Sequence, residues 1–310
     1  MKTFRGTRAV LALVLSMLLV AAGATAGSAS PGGGQGNGIP LSKISVQLWN
    51  FAAYIGFGEE PENQQRLEEA LAGLSEIGYR NVEPFSFNGL SAEEFKALLD
   101  KYDLEAPSRH GDTTEATWDT HLADAKVLGQ QFTGSGGFAA PGISSYGDTL
   151  ATAETMNRLG RRSVRNGTGK IFGHNHQGEF RTMYPDPETG EMKSAWQIIV
   201  ENTDPRYVAF QLDVLWATDG GADPVQLLRT YPDRIKLLHV KDGINVADPA
   251  NATPVPLGEG EMVFEPILRA AQRANVRYYV YEQDPPFDDP TFDPFASAQA
   301  GFDYLSTVRP

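Results

Sequence analysis

Short apolar runs alternate along this chain with longer segments whose apolar residues recur every three or four positions, and the pair repeats about eight times. The runs predict strands and the longer segments predict helices. Ile44–Trp49 reads as a first strand. Leu67, Ala70, Leu71, Leu74 and Ile77 then mark one face of a helix over 62–77, which Gly78 stops. Arg80–Phe85 is the second strand, and Ser91 followed by Glu94 has the spacing of a capping box opening the next helix. Leu104–His110 and Gln131–Gly137 are the third and fourth strands, with helices over 116–128 and 149–165. The remaining pairs are 169–174 with 195–201, 207–213 with 225–231, 235–240 with 263–274, and 277–282 with 296–308. Strands alternating with helices of this length call for a parallel sheet. Eight such units in one domain predict a closed (β/α)₈ barrel. An open dinucleotide-binding sheet would carry a glycine-rich turn after its first strand, and Trp49-Asn50-Phe51 is no such turn.

The chain ahead of the first strand has a different character. Lys2, Arg5 and Arg8 precede an apolar run over 9–22 and then Ala24-Thr25-Ala26, the layout of a secretory signal peptide over 1–26. The run is shorter than the roughly 20 residues that span a bilayer, so cleavage and secretion, not stable membrane insertion, are expected. A Gly/Ser-rich linker follows over 27–42, and the barrel domain occupies 43–310. The formal charge is −13, and loss of the three cationic residues of the leader takes it to −16. Such a surface repels phosphate backbones, so nucleic acid is not an expected partner. With no cysteine, no disulfide supports the fold.

Polar residues gather where the predicted strands end. His110, His174 and His176, Asp213, His239 and Glu282 all close strand-like runs, and in a parallel barrel such positions face one mouth. Imidazoles and carboxylates gathered at one mouth suit a divalent transition metal such as Mn²⁺, Zn²⁺, Co²⁺ or Fe²⁺ better than Mg²⁺. Each residue also has a plain structural reading. A strand-end histidine can be a hydrogen-bonded structural residue, Asp213 can cap the following turn, and Glu282 can pair with an arginine. Trp49 and Trp216 can stack on sugar rings or fill core. His121 falls within a helix and reads as a surface or packing residue.

In this order, Gly78-Tyr-Arg-Asn-Val-Glu83, His174-Asn-His-Gln-Gly-Glu-Phe180, Leu212-Asp-Val-Leu-Trp-Ala217, Asp233 to Asp242, Leu257-Gly-Glu-Gly260 and Tyr281-Glu-Gln-Asp284 resemble the xylose isomerase-like TIM barrels, often called sugar phosphate isomerases/epimerases. The resemblance implies a divalent metal with one ligand from each of strands five to eight, here His174, Asp213, His239 and Glu282. It also implies a keto-sugar or polyol ketone as substrate. Many sugar epimerases of the superfamily carry a glutamate where this chain has His174, which departs from a symmetric pair of carboxylate bases. Metal polarisation of a ketone and removal of an α-proton by Glu282, His176 or His110 would give an enediolate. Reprotonation then gives isomerisation or epimerisation, and loss of a β-substituent gives a lyase. Glu83, His176, Trp49, Trp216 and Lys241 are the expected substrate contacts, with support of a metal ligand as the other role open to His176 and Glu83. Export points to a free sugar, keto-sugar or keto-glycoside. The abasic-site endonucleases share the barrel, but their multi-zinc cluster and basic groove have no counterpart in this acidic, histidine-poor sequence. A non-catalytic sugar-binding barrel that keeps its metal for structure is the remaining alternative.

Overall fold

Seven parallel strands form one curved sheet: β1 (Ile44–Gln47), β2 (Asn81–Glu83), β3 (Phe132–Gly134), β4 (Lys170–His174), β5 (Val208–Asp213), β6 (Ile235–Val240) and β7 (Tyr278–Tyr281). Their spatial order is β2-β1-β7-β6-β5-β4-β3. This computed structural model describes residues 38–246, 248 and 251–310, so the expected signal peptide and most of the expected linker lie outside the described residues. Helices α1 (Pro61–Ile77), α2 (Ala92–Lys101), α3 (Trp118–Leu128), α4 (Tyr146–Asn166), α5 (Ala195–Glu201), α6 (Pro224–Thr230), α7 (Phe264–Arg273) and α8 (Pro294–Thr307) separate and follow the strands. The capping box of α2 forms as its spacing predicts. Ser91 N–H donates to Glu94 Oε2 at 2.8 Å, and Glu94 N–H to Ser91 Oγ at 3.2 Å.

The expected third strand is the main departure. Leu104–His110 joins its neighbours only at isolated bridges, Glu105 to Asn81 and His110 to Gly134. Pro107 lies between them and has no N–H to give to a ladder. The segment still links the two edge strands. Val82 N–H reaches Glu105 O at 2.8 Å, His110 N–H reaches Pro84 O at 3.0 Å, and Gly111 N–H reaches Gly134 O at 2.8 Å. The cylinder closes through this irregular eighth position.

Packing also begins ahead of the domain start expected at residue 43. Ile39 is buried, its N–H donates to Leu305 O at 3.0 Å, and Leu41–Lys43 form a 3₁₀ turn. Gly38 permits the approach, because a Cβ there would lie 2.0 Å from Ser306 O.

Alternation along the strands sorts side chains into two cores. Val208, Phe210 and Leu212 of β5 join the core between strands and helices, while Ala209 packs inside the cylinder with Phe132, Phe172, Leu237, Tyr278 and Val280. The same period of two turns Gln211 and Asp213 inward above Ala209, and His239 inward above Leu237. The interior is thus apolar at the amino ends of the strands and polar at their carboxyl ends. That division positions the site.

His121 in α3 is buried. Its Nδ1 lies 2.8 Å from Asp112 O and must donate, while Nε2 has no partner, so the ring is neutral. Burial, with Arg109 adding to it, lowers its pKa to about 4. The folded value lies below the unfolded one of about 6.5. This contribution to stability is therefore complete above that pH and is lost as the pH falls toward 4. Denaturant unfolding at pH 7 and 4.5 should show the wild type losing about 2 kcal/mol more than His121→Gln. Equal losses would show that His121 does not titrate as described.

Candidate metal centre

His174, Asp213, His239 and Glu282 come from β4, β5, β6 and the residue after β7. Each offers one ligating atom, and these atoms all lie within 4.8 Å of one another. All four are buried. Asp213 does cap the turn after β5, with Oδ1 accepting from Trp216 N–H at 2.9 Å. Its Oδ2 accepts no hydrogen bond although buried, and Lys241 Nζ stands 3.3 Å away. Burial raises the Asp213 pKa to about 6 against the pull of Lys241. Asn175, itself buried, fixes the backbone here: Asp213 N–H donates to its Oδ1 at 3.1 Å, and its Nδ2 donates to Asp213 O at 3.2 Å. An orphaned carboxylate oxygen facing two imidazoles and a second carboxylate fits a cation.

The tautomers follow from a glutamine. Gln211 Nε2 donates to both oxygens of Glu83, at 3.0 and 2.8 Å, because a carboxylate only accepts. Gln211 Oε1 then faces His174 Nδ1 at 3.0 Å and His110 Nε2 at 2.6 Å, and both imidazoles must donate to it. His174 is left with a bare Nε2, the form that binds a metal. Burial, with His239 and His110 alongside, holds its pKa well below the ordinary histidine value. His239 lies between two carboxylates, with Nε2 2.7 Å from Glu83 Oε1 and Nδ1 2.7 Å from Glu282 Oε2. Burial opposes its charge, but Glu282 and Glu83 outweigh burial and raise its pKa to about 10. A carboxylate–histidine pair of this kind orients a ligating imidazole.

Glu83 therefore sits beneath the quartet, wholly buried, and not in the open mouth as a substrate contact. Gln47 Nε2 donates to it at 2.8 Å and Ser108 Oγ donates to its other oxygen. His110, expected as a possible base, stacks on His239 with its Nε2 committed to Gln211 and 3.1 Å from Glu83. It also comes within 4.8 Å of His174 and His239 as a second potential ligand group. The ring of His176 is exposed at the rim, 5.0 Å from that of His174 and 6.4 Å from Trp216.

Lys241 is buried and not an open loop lysine. Its Nζ lies 2.8 Å from Glu282 Oε2 and 2.9 Å from Asp284 Oδ2, and 5.2 Å from the centre of the Trp216 ring. Burial opposes the ammonium, yet Glu282, Asp213 and Asp284 hold its pKa above the usual lysine range. Trp49 Nε1 donates to the other Asp284 oxygen at 3.1 Å. Asp213, Glu282 and Asp284 thus face one ammonium, Glu83 adds a fourth carboxylate behind His239, and a divalent cation brings the cluster close to neutrality. The chemistry of the donors fits the group.

The family model for xylose isomerase-like TIM barrels matches residues 71–306. The chain belongs to this family. Among solved structures, a sugar phosphate isomerase/epimerase from Parabacteroides distasonis is 24% identical with a TM-score of 0.66, covering 86% of this chain and 94% of that one. An L-ribulose 3-epimerase is 12% identical with a TM-score of 0.63, over 86% and 94% of the two chains. A probable 3-DHS dehydratase from Bacillus anthracis is 13% identical with a TM-score of 0.62, over 86% and 100%. Likeness at these identities establishes the fold alone. No curated protein matches the chain.

Four residues of this xylose isomerase-like barrel escape a search for ligand chemistry: Gln47, Ser108, Asn175 and Gln211. Gln211 carried one signal, since it lies two residues before Asp213 and shares its face. Gln211→Leu should weaken divalent metal binding by about 10- to 100-fold, as loss of groups behind a ligand does elsewhere. Competition titration against a chelating dye measures this. Unchanged affinity would mean that the glutamine does not set the ligand tautomers.

Proposed function

We propose that this chain is a divalent-metal-dependent sugar isomerase/epimerase acting on a keto-sugar or related polyol through an enediolate. The observation that supports it is the buried quartet from four successive strand ends, with one buried carboxylate oxygen that accepts no hydrogen bond and only pairs with an ammonium. Held by His174, Asp213, His239 and Glu282, a cation would supply Lewis acidity that polarises a substrate carbonyl. Mn²⁺, Zn²⁺ or Co²⁺ match the two imidazoles better than Mg²⁺. Glu282, the least enclosed of the quartet at 5% exposure, is placed to take an α-proton. Lys241 and His239 hold its pKa down despite burial, so it is ionised. Lys241 directs its ammonium at the same oxygen and can neutralise charge developing on the substrate. His176 and Trp216 form one wall of the mouth, and Trp49 faces it from the β1 side.

A second reading, a lyase that dehydrates or β-eliminates a keto-glycoside or keto-polyol, is favoured by one feature. His174 stands where a symmetric epimerase would place its second carboxylate base, and its Nδ1–H is tied to Gln211. One base with a neighbouring ammonium as acid suits elimination. The dehydratase among the structural neighbours has the same fold and adds to this reading.

Export belongs to the proposal too. It rests on Lys2, Arg5 and Arg8, the apolar run over 9–22 and Ala24-Thr25-Ala26. Among the described residues no helix is long and apolar enough to cross a membrane. Mass spectrometry of the mature protein should give an amino terminus close to Gly27, and an intact Met1 would refute the leader.

The chemistry is tested by proton exchange. Incubated in D₂O with Mn²⁺, the protein should wash deuterium into the carbon beside the ketone of keto-sugars. Chelation should stop it, and Glu282→Gln should slow it by at least about 10²-fold, the scale of a lost general base. Exchange that survives chelation, or none with any metal and any keto-sugar, would refute the enolisation.

A further inference from the structure

Resting on the sugar reading above, we infer that the mouth carries a second subsite, built by Phe57, Phe287, Trp49 and Phe85, for a neutral ring joined to the reacting sugar. The substrate class is then a glycoside with a ring-shaped aglycone, not a lone monosaccharide.

Among the described residues, the large exposed hydrophobics include two aromatics, Phe57 at 61% and Phe287 at 56% exposure. They lie 230 positions apart in the chain, yet their rings meet at 6.0 Å. Both also touch Trp49, each at 5.8 Å, and Phe85 completes the group at 5.2 Å from Trp49 and 6.4 Å from Phe57. Exposing such rings costs free energy unless something covers them. The four come from segments that follow the carboxyl ends of β1, β2 and β7, three neighbouring strands, so the cluster stands on the same rim as the quartet.

A short hydrogen-bonded chain ties it there. Trp49 Nε1 donates to Asp284, and Asp284 accepts from Lys241, which contacts Glu282. The aromatic face is therefore one carboxylate away from the ammonium beside the reacting sugar. A sugar held at the quartet, with Trp216 on the far wall, would extend its substituent toward this face.

The surroundings specify the ring's chemistry. Asp288 and Asp289 directly follow Phe287, and Glu59 and Glu60 follow Phe57 closely in the chain. Carboxylates beside an aromatic face accept hydroxyl hydrogens and repel anions, so a neutral, hydroxyl-bearing or aryl ring fits and an acidic one does not. The backbone sets how the two rings are presented. Phe57 sits between Gly56 at φ 86° and Gly58 at φ 114°, conformations that glycine adopts without strain. Phe287 follows Pro285-Pro286, which are stiff. Asn88 Nδ2 donates to Gly56 O at 3.2 Å and Gly58 O at 3.1 Å, and Asn63 Nδ2 to Phe57 O at 3.1 Å, so both rings are held on fixed turns.

Calorimetric titration of the metal-loaded protein with methyl β-D-glucopyranoside, phenyl β-D-glucopyranoside and cellobiose tests this. The two ring-bearing probes should bind about tenfold more tightly than the methyl glycoside, the scale of one aromatic contact. The double variant Phe57→Ala, Phe287→Ala should erase that preference while leaving the methyl glycoside and deuterium exchange into monosaccharides unchanged. A preference for the phenyl glycoside alone would assign an aryl aglycone, and one for cellobiose alone a sugar. Equal affinity for all three probes, binding of none, or a preference that survives the double variant would overturn the subsite. Conversion of a dimer to a monomer by the double variant would overturn it as well, assigning the rings to self-association. None of these results depends on enolisation, which the exchange experiment judges separately.

Discussion

Four carboxylates gathered in and around a buried cylinder repel one another unless positive charge is set among them. Glu83, Asp213, Glu282 and Asp284 are held together by the Lys241 ammonium, by His239 between two of them, and by neutral donors from Gln47, Ser108 and Gln211. Low local dielectric makes each of these contacts strong and each missing one costly. Asp213 Oδ2 accepts no hydrogen bond and has only its ion pair with Lys241. The rest of the structure can be understood as the frame that keeps this imbalance in place.

That frame has a division of labour. At the amino ends of the strands, Phe132, Phe172, Leu237, Tyr278 and Val280 fill the interior and exclude water. Above them the neutral amides of Gln211 and Gln47 join Glu83 to the imidazoles and decide which ring nitrogens carry hydrogen. The quartet comes last, at the strand ends, where Asn175 and the turn after β5 hold Asp213 by its backbone and by one oxygen. The geometry of the quartet is thus set by residues outside it. A change in Gln211 would reach three side chains at once.

The convergence of His174, Asp213, His239 and Glu282 was legible in the sequence because each closes a strand, and alternation decides that a strand-end residue faces the mouth. The strands were legible for a different reason, since barrel strands are buried on both faces and read as short unbroken apolar runs. The third one was not, and Pro107 is why: its apolar neighbours read as a strand while its missing N–H prevents a ladder. Glu83 read as a possible substrate contact because the sequence cannot tell how far down the cylinder a polar side chain lies. Gln211 and Asn175 carry no distinctive chemistry and become visible only as partners. Phe57 lies between glycines in what reads as a loop, and only folding brings it to Phe287.

The most direct test of the account is an anomalous-difference map from crystals grown with Mn²⁺. The account predicts one strong peak per chain, bounded by the imidazoles of His174 and His239 and the carboxylates of Asp213 and Glu282, with Lys241 beside and not within the coordination sphere. A map with no peak inside the cylinder at saturating Mn²⁺, or with its only peak at surface carboxylates, would contradict it.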